Sequence, residues 1–370
     1  MRFPKNPLFL LLVMLAVLAA VAINGCSSGG GSGSLFGERG TTQGTFVGGA
    51  SGTTAGGQTY NVTIDHTANT FSVQNVTASK SYSGTISTPP SGFLETVTTA
   101  SNDPSIGTLP VTGHSIEIPG TVVALHLTDD PTVDVVPLVD TGGVCVLTGG
   151  PTNFNSIKIP NTFDSTTSSA YSLFTITSTG TSSSSTITGN ETDFRLDGTQ
   201  VKTGAVNATC TNGVGTGSGS GNNDTFGFSA DLFGIDVPAP NSNGSGFVAM
   251  PDPAVSIATI VAGQYTAMLF RHSHNIKLAG FGPGAGSSIS GGAFANIKTD
   301  AFNTHANNIT INFAAGPSAG LLTGSVVDEN GVTHSPMIAE VNTFKGKIVI
   351  LLLTADTTTT ETFHILLKQQ

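Results

Sequence analysis

The sequence predicts an all-β protein, built as an antiparallel β-sandwich or as β-barrels with loops rich in Gly, Ser and Thr. These three residue types make up 137 of the 370 positions (47 Gly, 37 Ser and 53 Thr), which leaves few strong helix formers. Val, Ile, Thr and Phe suit the pleated surface of a sheet, and they recur in short runs along the chain. A hydrophobic share of 38% gives such strands apolar surface to bury.

The charge of the chain excludes nucleic acid as an expected partner. Thirteen Lys and Arg residues stand against 23 Asp and Glu residues, and no basic cluster follows residue 5. Phosphate backbones are bound by clustered basic side chains, which this chain lacks. The glycine-rich segments 213–217 and 282–286 also lack the following helix or Lys that phosphate binding needs, so we expect no cofactor.

The first 25 residues have the layout of a signal peptide. Arg2 and Lys5 form a basic head, and residues 8–23 carry no polar side chain. This run is shorter than the roughly 20 residues that span a bilayer comfortably, and no basic flank follows it. The stretch Ile23-Asn24-Gly25-Cys26 resembles the lipobox of bacterial lipoproteins.

The resemblance implies that Cys26 becomes the lipidated N-terminus and that the membrane is a partner through this anchor. Ser27, which is not Asp, implies delivery to the outer membrane in an organism that has one. Residues 26–43 would then be the lipidated Cys and a flexible tether, because 27–34 read SSGGGSGS. The alternatives are an uncleaved N-terminal helix, or ordinary cleavage that leaves Cys26 as a thiol.

Alternating apolar and polar residues predict strands in order along the mature chain, and the first two, 60–65 and 71–76, read as a hairpin. The further runs are 121–127, 133–139, 144–147, 171–177, 186–189, 206–210, 225–230 and 265–271. The glycine-rich segments 211–223 and 238–246 are typical of surface loops.

The last hundred residues predict a further set of strands. Residues 309–313 and 321–328 lead into Asn330-Gly331, the dipeptide typical of a tight hairpin. Residues 348–353 are six consecutive aliphatics, which predicts a central strand buried on both faces, with 363–367 paired nearby. We therefore expect two β domains. The N-terminal domain covers 44–258 and could consist of two units, and the C-terminal domain, an antiparallel barrel or sandwich, covers 259–370.

Two cysteines remain after Cys26. Cys145 and Cys210 both lie in strand-like runs, and an exported protein meets an oxidising compartment, so we expect a disulfide between them. Closing the loop between Cys145 and Cys210 with a disulfide would stabilise the fold by about 4 kcal/mol in the chain-entropy model. Two buried free thiols are the alternative interpretation.

One short motif suggests catalysis. Residues 135–143 resemble the Asp-Thr-Gly signature of aspartic proteases, with Asp140 at the end of an aliphatic strand. That chemistry needs two carboxylates that share a proton. No second Asp-Thr-Gly or Asp-Ser-Gly occurs, so the resemblance would require two chains to pair. A strand that ends in an Asp-Gly turn explains the same residues, and Asp140 is thus a weak catalytic candidate.

One pair of histidines suggests a metal. His272 and His274 would lie on the same face of a strand, which is a spacing that suits zinc or another transition metal. No other strand carries a matching pair of His or carboxylate residues. We therefore favour ordinary surface histidines and expect no metal.

These observations favour a membrane-anchored extracytoplasmic lipoprotein of the cell envelope, with a structural, adhesive or binding role rather than a catalytic one. Its further partner would be a protein, a glycan or a small apolar ligand, and an aspartic-type hydrolase around Asp140 is a second alternative. For an apolar ligand, phenylalanines could line a cavity: Phe226, Phe228, Phe270 and Phe281. The absence of Trp and the presence of only 4 Tyr residues argue against a sugar-stacking surface.

Overall fold

Antiparallel strands make up most of the described chain in the computed structural model, which confirms the all-β prediction. The structure describes residues 41–48, 57–106, 108–127, 136–159, 169–218, 224–237, 246–251, 255–271, 277–296, 301–302, 308–355 and 362–370. The strands pair in three groups, which are two closed barrels and a nine-stranded sheet.

The first eight strands form a closed barrel in which each strand pairs with the next and β8 returns to β1. They are β1 (Thr41–Gly48), β2 (Gln58–Asp65), β3 (Thr70–Asn75), β4 (Lys80–Ser87), β5 (Leu94–Ser101), β6 (Val111–Ile118), β7 (Val122–Leu127) and β8 (Val136–Asp140). The predicted hairpin of residues 60–76 is β2 and β3. β1 begins at Thr41, so the last residues of the expected 26–43 tether belong to a strand.

The alternation of apolar and polar residues along each strand builds the core of the first barrel. Phe46, Val62, Ile64, Phe71 and Val73 belong to one buried cluster, and they occupy every second position of their strands. Successive side chains of a strand point to opposite faces, so one face of each strand lines the interior. The polar residues between them face outward.

The next eight strands form the second closed barrel, which β9 closes by pairing with both β10 and β16. They are β9 (Thr152–Ile159), β10 (Tyr171–Gly180), β11 (Ser184–Phe194), β12 (Gln200–Thr211), β13 (Val214–Ser218), β14 (Asp224–Phe228), β15 (Gly234–Val237) and β16 (Gly246–Pro251). A disulfide joins Cys145, which precedes β9, to Cys210 of β12, with the two Cα atoms 5.8 Å apart.

The strand predicted over 144–147 is wrong. The tight turn at Gly142 and Gly143, both with positive φ, leads into an irregular segment instead. Val144 and Leu147 are 43% and 44% exposed, so their alternation does not mark a buried face. The segment is held by the disulfide and by a bond from the Cys145 N–H to the Ser182 carbonyl rather than by a sheet.

The loop predicted over 211–223 is wrong in its first half, because residues 214–218 are β13. Asn212 and Gly213 both have positive φ, which is the geometry of a two-residue hairpin between β12 and β13. A Cβ atom at Gly215 would collide with the ring of Phe226 on β14. Glycine is therefore needed in this strand so that the neighbouring aromatic ring can lie over it.

The last strands form a nine-stranded sheet in the order β18-β17-β25-β24-β23-β22-β21-β19-β20, called here the C-terminal sheet. They are β17 (Tyr265–Arg271), β18 (Lys277–Ala285), β19 (Ser288–Asn296), β20 (Ala301–Phe302), β21 (Ile309–Ala315), β22 (Leu321–Val327), β23 (Thr333–Phe344), β24 (Lys347–Ala355) and β25 (Thr362–Gln369). An additional pairing of β18 with β19 joins the two ends of this order, so eight of the strands form a ring.

A short helix, α1 (Ile257–Val261), packs on the interior of the C-terminal sheet. Ser256 begins the helix, since its side chain accepts a hydrogen bond from the Thr259 N–H. Ile260 and Val261 belong to the same buried cluster as the inward side chains of the strands. The Tyr265 hydroxyl donates to the Ile260 carbonyl at 2.8 Å and so fixes the helix to β17. The domain boundary predicted after residue 258 falls inside this helix.

The central strand predicted over 348–353 is β24, and both of its faces are buried. Ile348, Ile350 and Leu352 face the interior of the C-terminal sheet. Val349, Leu351 and Leu353 face the other way and belong to a second cluster, which we call the junction. Further residues of the C-terminal sheet belong to the junction, and the outer walls of both barrels contribute residues that include Val47, Ile118, Val139, Ile157, Ile235, Val248 and Met250.

Glu340 of β23 is an exception in this apolar junction. Its side chain is completely buried, and it lies directly opposite Leu351 in the β23–β24 register. Burial raises the pKa of the Glu340 carboxyl well above its usual range, and the backbone N–H groups of Ile157 and Met250 offset only part of this. Burial therefore disfavours the charged form of this carboxyl in the folded protein.

We expect Glu340→Gln to make the protein more stable than wild type at pH 8 by about 1–3 kcal/mol, and close to equal at pH 4. Because the pKa of Glu340 is higher in the fold than in the unfolded chain, rising pH ionises this carboxyl in the unfolded chain first. The ionisation lowers the stability of wild type but not that of Glu340→Gln, which has no carboxyl at this position. Urea unfolding at both values of pH measures the difference. The control is Glu329→Gln, in the turn after β22, which should show no such gain. An equal pH dependence of wild type and Glu340→Gln would contradict the prediction.

Candidate functional site

Several residues singled out by the sequence lie outside the described residues. They are the lipidation site Cys26 and the histidines His272 and His274. Within the part of the chain that the structure describes, no group of three or more His, Cys, Asp or Glu side chains could hold a metal ion.

Asp140 ends β8 and faces the interior of the first barrel, opposite Phe46 of β1. Its Oδ1 atom accepts the Gly142 N–H at 2.8 Å, so the side chain closes the turn that follows the strand. Burial raises the pKa of Asp140, and the bond from Gly142 opposes this. No second carboxyl is hydrogen-bonded to Asp140 among the described residues. The arrangement is that of a strand ending in an Asp-Gly turn.

The same end of the first barrel holds an imidazole–carboxylate pair that sequence reasoning missed. The Nε2 atom of His66, just after β2, lies 2.8 Å from Oε2 of Glu117 on β6, and both side chains are buried. The two residues are 51 positions apart, and neither lies in a motif. Only the closure of the barrel brings them together.

The main cluster of ionisable side chains lies inside the second barrel. The register across four neighbouring strands places Phe226, Asp236, Phe247 and Lys158 side by side. We call these four residues the charged row. Directly opposed residues of antiparallel strands have Cβ atoms about 4.5–5.5 Å apart. Asp236 therefore lies between two phenylalanines, and Lys158 lies beyond the second of them.

Lys158 is buried but paired. Its Nζ atom lies 2.8 Å from Oε1 of Glu191 and 3.6 Å from Oδ1 of Asp193, both on β11. The Ser172 hydroxyl donates to Oδ1 of Asp193 at 2.7 Å. The Lys158 ammonium also lies 4.7 Å from the centre of the Phe247 ring, which is within range of a cation–π contact.

The pKa values of this cluster follow from burial and from Lys158. Burial by itself would lower the pKa of Lys158, but Glu191 and Asp193 raise it above its usual value. Burial opposes the charge of Glu191 as well, yet Lys158 lowers the pKa of that carboxyl to about 2. For Asp193, burial and the nearby Glu191 outweigh Lys158, so its pKa is raised.

Asp236 lacks such a partner. Its side chain is 7% exposed, and no hydrogen bond joins its carboxyl to any residue in the described ranges. Burial raises its pKa well above the usual range, and the Asp224 carboxyl raises it further, while Lys158 offsets only part. Asp236 is therefore a buried carboxyl whose charge is offset only in part by the cation nearby.

The walls of this site are aromatic rings. The centres of the Phe226 and Phe228 rings lie 6.0 Å apart in an edge-to-face arrangement, and Phe247 contacts Phe174. Sequence reasoning had suggested Phe226 and Phe228 as lining residues, and both face the interior of the second barrel. Phe281 instead packs in the core of the C-terminal sheet, and the side chain of Phe270 lies outside the described residues.

A buried hydroxyl completes the site. Ser156 is fully buried on the inward face of β9, opposite Ser172 of β10, and its Oγ atom has no hydrogen-bond partner among the described residues. Charge, aromatic faces and free hydrogen-bonding groups thus meet inside one barrel. Such a set can bind a polar or charged ligand.

The sequence could not single out these charged residues. Lys158, Glu191 and Asp236 are 33 or more positions apart. Glu191 and Asp193 lie beyond the end of the strand predicted over 186–189, so the prediction does not show them as a pair of carboxylates on one strand face. Strand alternation could have flagged them, because each occupies the same inward parity as its apolar neighbours. A charged residue at an inward position of a strand is unusual, and it indicates either a buried ion pair or a functional site.

Comparisons with known proteins give little guidance for this chain. No family model and no curated protein matches it. A search of solved structures finds a similarity to a single-substitution mutant of the vaccine antigen Transferrin Binding Protein B from Haemophilus parasuis. The sequence identity is 11%, the match covers 90% of this chain and 76% of that one, and the TM-score is 0.24. In the described ranges, no helix has the length and apolar character needed to cross a membrane.

We expect Lys158→Met to lower the free energy of unfolding at pH 7 by about 3–5 kcal/mol, because it leaves two buried carboxyls without their cation. Because the pKa of Glu191 is about 2 in the fold and near 4.5 in the unfolded chain, the stabilisation by this pairing is complete above pH 4.5 and is lost as pH falls from there toward 2, so the loss should be smaller at pH 3 than at pH 7. Denaturant unfolding at both values of pH measures this effect. Lys202→Met is the matched control, since Lys202 is exposed although it pairs with Asp193 in register. Equal losses in the two variants would contradict the prediction.

Proposed function

We propose that this chain is a lipid-anchored binding protein of the cell envelope, and that its ligand site is the charged row of the second barrel with Glu191 and Asp193. The observation that carries this proposal is the buried Asp236 carboxyl inside the barrel, which is hydrogen-bonded to none of the described residues and shares the barrel interior with the unpartnered Ser156 hydroxyl. Perturbed ionisable groups of this kind cluster at functional sites.

The cost of this arrangement supports a functional role. An unpartnered buried polar group costs about 1–3 kcal/mol, and an apolar side chain at the same position would avoid that cost. The C-terminal sheet illustrates the alternative, because its interior is filled by one cluster of aliphatic and aromatic side chains. The second barrel keeps a group of charged side chains in its interior, whereas the interior of the C-terminal sheet is mainly apolar.

Binding fits these groups better than catalysis. Asp236 lies between two phenylalanine rings, and the Lys158 ammonium is held by Glu191 and Asp193. Neither group is aligned with a nucleophile or a metal ligand among the described residues. The expected role is recognition of a ligand by charge and by aromatic contact.

The anchor of this binding protein would be Cys26, by the resemblance of residues 23–26 to a lipobox. We expect the wild-type protein to incorporate a labelled fatty acid in cells and Cys26→Ala to lose the label. Several acyl chains on one residue give durable membrane attachment, whereas one chain is marginal. Ser27→Ala is the control and should remain labelled. An unlabelled wild type, or a labelled Cys26→Ala variant, would refute the anchor.

The binding function is tested by thermal unfolding of the full mature chain with a panel of amines, carboxylates, neutral sugars and fatty alcohols. A ligand present at a hundredfold its Kd stabilises the folded state by about 2.7 kcal/mol. We expect at least one class to raise the Tm of wild type and to raise that of Asp236→Asn much less. A panel in which no class raises the Tm, or in which both proteins respond equally, would overturn the proposed site.

A further inference from the structure

The charge balance inside the second barrel points to the sign of the ligand. Four carboxyls act on one another there, those of Glu191, Asp193, Asp224 and Asp236, and the Lys158 ammonium acts on three of them, Glu191, Asp193 and Asp236. The Lys158 ammonium is engaged with Glu191 and Asp193. A further positive charge near Asp236 would balance the cluster, and a further negative charge would be repelled.

Two observations separate this cluster from an ordinary group of acids. The Asp236 carboxyl is more than nine-tenths buried and has no hydrogen-bond partner in the described chain. The Ser156 hydroxyl is fully buried on the inward face of β9, two residues before Lys158, and it is also without a partner. Both groups can accept a hydrogen bond from a bound molecule.

The neighbours of Asp236 point to an organic ligand. Phe226 and Phe247 lie directly to either side of it in the register, and both rings are partly accessible. Phe247 already contacts the Lys158 ammonium, so its ring face suits a cation. The described carboxyls do not converge into a group that could hold a metal ion. An apolar body with a positive group at one end fits these surroundings.

We propose that the charged row binds an organic cation, an ammonium or guanidinium group on an apolar stem, with the charge against Asp236 and the stem between Phe226 and Phe247. This inference rests on the proposed binding function and names its ligand class. Lys158, Asp193, Asp236 and Phe247 each lie one residue inside the end of a strand, at the same end of the barrel. The ligand therefore reaches the row through the barrel end and not through its packed interior.

The test is isothermal titration of the full mature chain with benzylamine and with benzamidine, against benzyl alcohol as the neutral analogue of the same shape. We expect one cation to bind per chain and the alcohol to bind at least tenfold more weakly. Asp236→Asn should lower the affinity for both cations at least tenfold. Circular dichroism and the Tm of the variant establish that it remains folded.

The matched control is Asp197→Asn. Asp197 is an exposed carboxyl in the turn between β11 and β12, at the same end of the barrel, and Asn can still accept the Thr199 N–H. The affinity of the Asp197→Asn variant for both cations should equal that of wild type. Binding that is equal for wild type and Asp236→Asn would overturn the site, and equal binding of benzylamine and benzyl alcohol would overturn the ligand class.

A second arm separates free small cations from basic side chains of a partner protein. The probes are a capped pentapeptide with one Arg between alanines and the same peptide with norleucine. Tighter binding of the Arg peptide than of benzamidine identifies a protein side chain as the source, and the reverse order identifies a small molecule. Either order of affinities supports the proposal that the ligand is an organic cation. If none of the cationic probes binds, the proposal is overturned.

The two proposals fail in different ways. If a sugar or a carboxylate raises the Tm of wild type but not of Asp236→Asn while the cations do not bind, the site stands and the cation is wrong. If no class of compound raises the Tm, both are wrong.

Discussion

β24 holds the three groups of strands together because it is buried on both faces. Its inward residues complete the core of the C-terminal sheet, and its outward residues, Val349, Leu351 and Leu353, form the centre of the junction. The outer walls of both barrels pack on the same cluster. A fully buried aliphatic side chain stabilises a fold by about 1.5–3 kcal/mol, so this one strand contributes to every part of the described structure.

The junction also determines where the candidate site lies. On β9 the outward Ile157 packs in the junction, while its neighbour Lys158 points into the second barrel. On β16 the outward Val248 also packs in the junction, while its neighbour Phe247 points into the second barrel. The Nε2 atom of His364, on β25, donates to the Lys158 carbonyl at 3.0 Å. The strands that carry the charged row are therefore held from outside by the C-terminal sheet, which keeps the row rigid.

The sequence predicted the features that depend on local pattern and missed those that depend on pairing between distant strands. Six aliphatics in a row sufficed to predict β24, and alternation predicted the β2–β3 hairpin. β13 was missed because its glycines resemble a loop, although Asn212-Gly213 before it carries the hairpin signal. Phe226 and Phe228 were expected to line a cavity on composition alone. The pairing of Lys158 with Glu191 required the closure of the second barrel, which no local pattern reveals.

Two buried carboxyls, Glu340 and Asp236, differ in what surrounds them, and the difference separates a structural group from a ligand site. Glu340 lies within the junction between Leu321 and Leu351, sealed between packed sheets with only backbone N–H groups of other strands nearby. Asp236 lies one residue from the end of β15, beside aromatic rings and within a charged network. A ligand could reach Glu340 only by separating the barrel from the sheet, whereas Asp236 is at the end of a barrel. Burial is the main cause that raises both pKa values, so position and neighbours, rather than the pKa, identify Asp236 as the binding group.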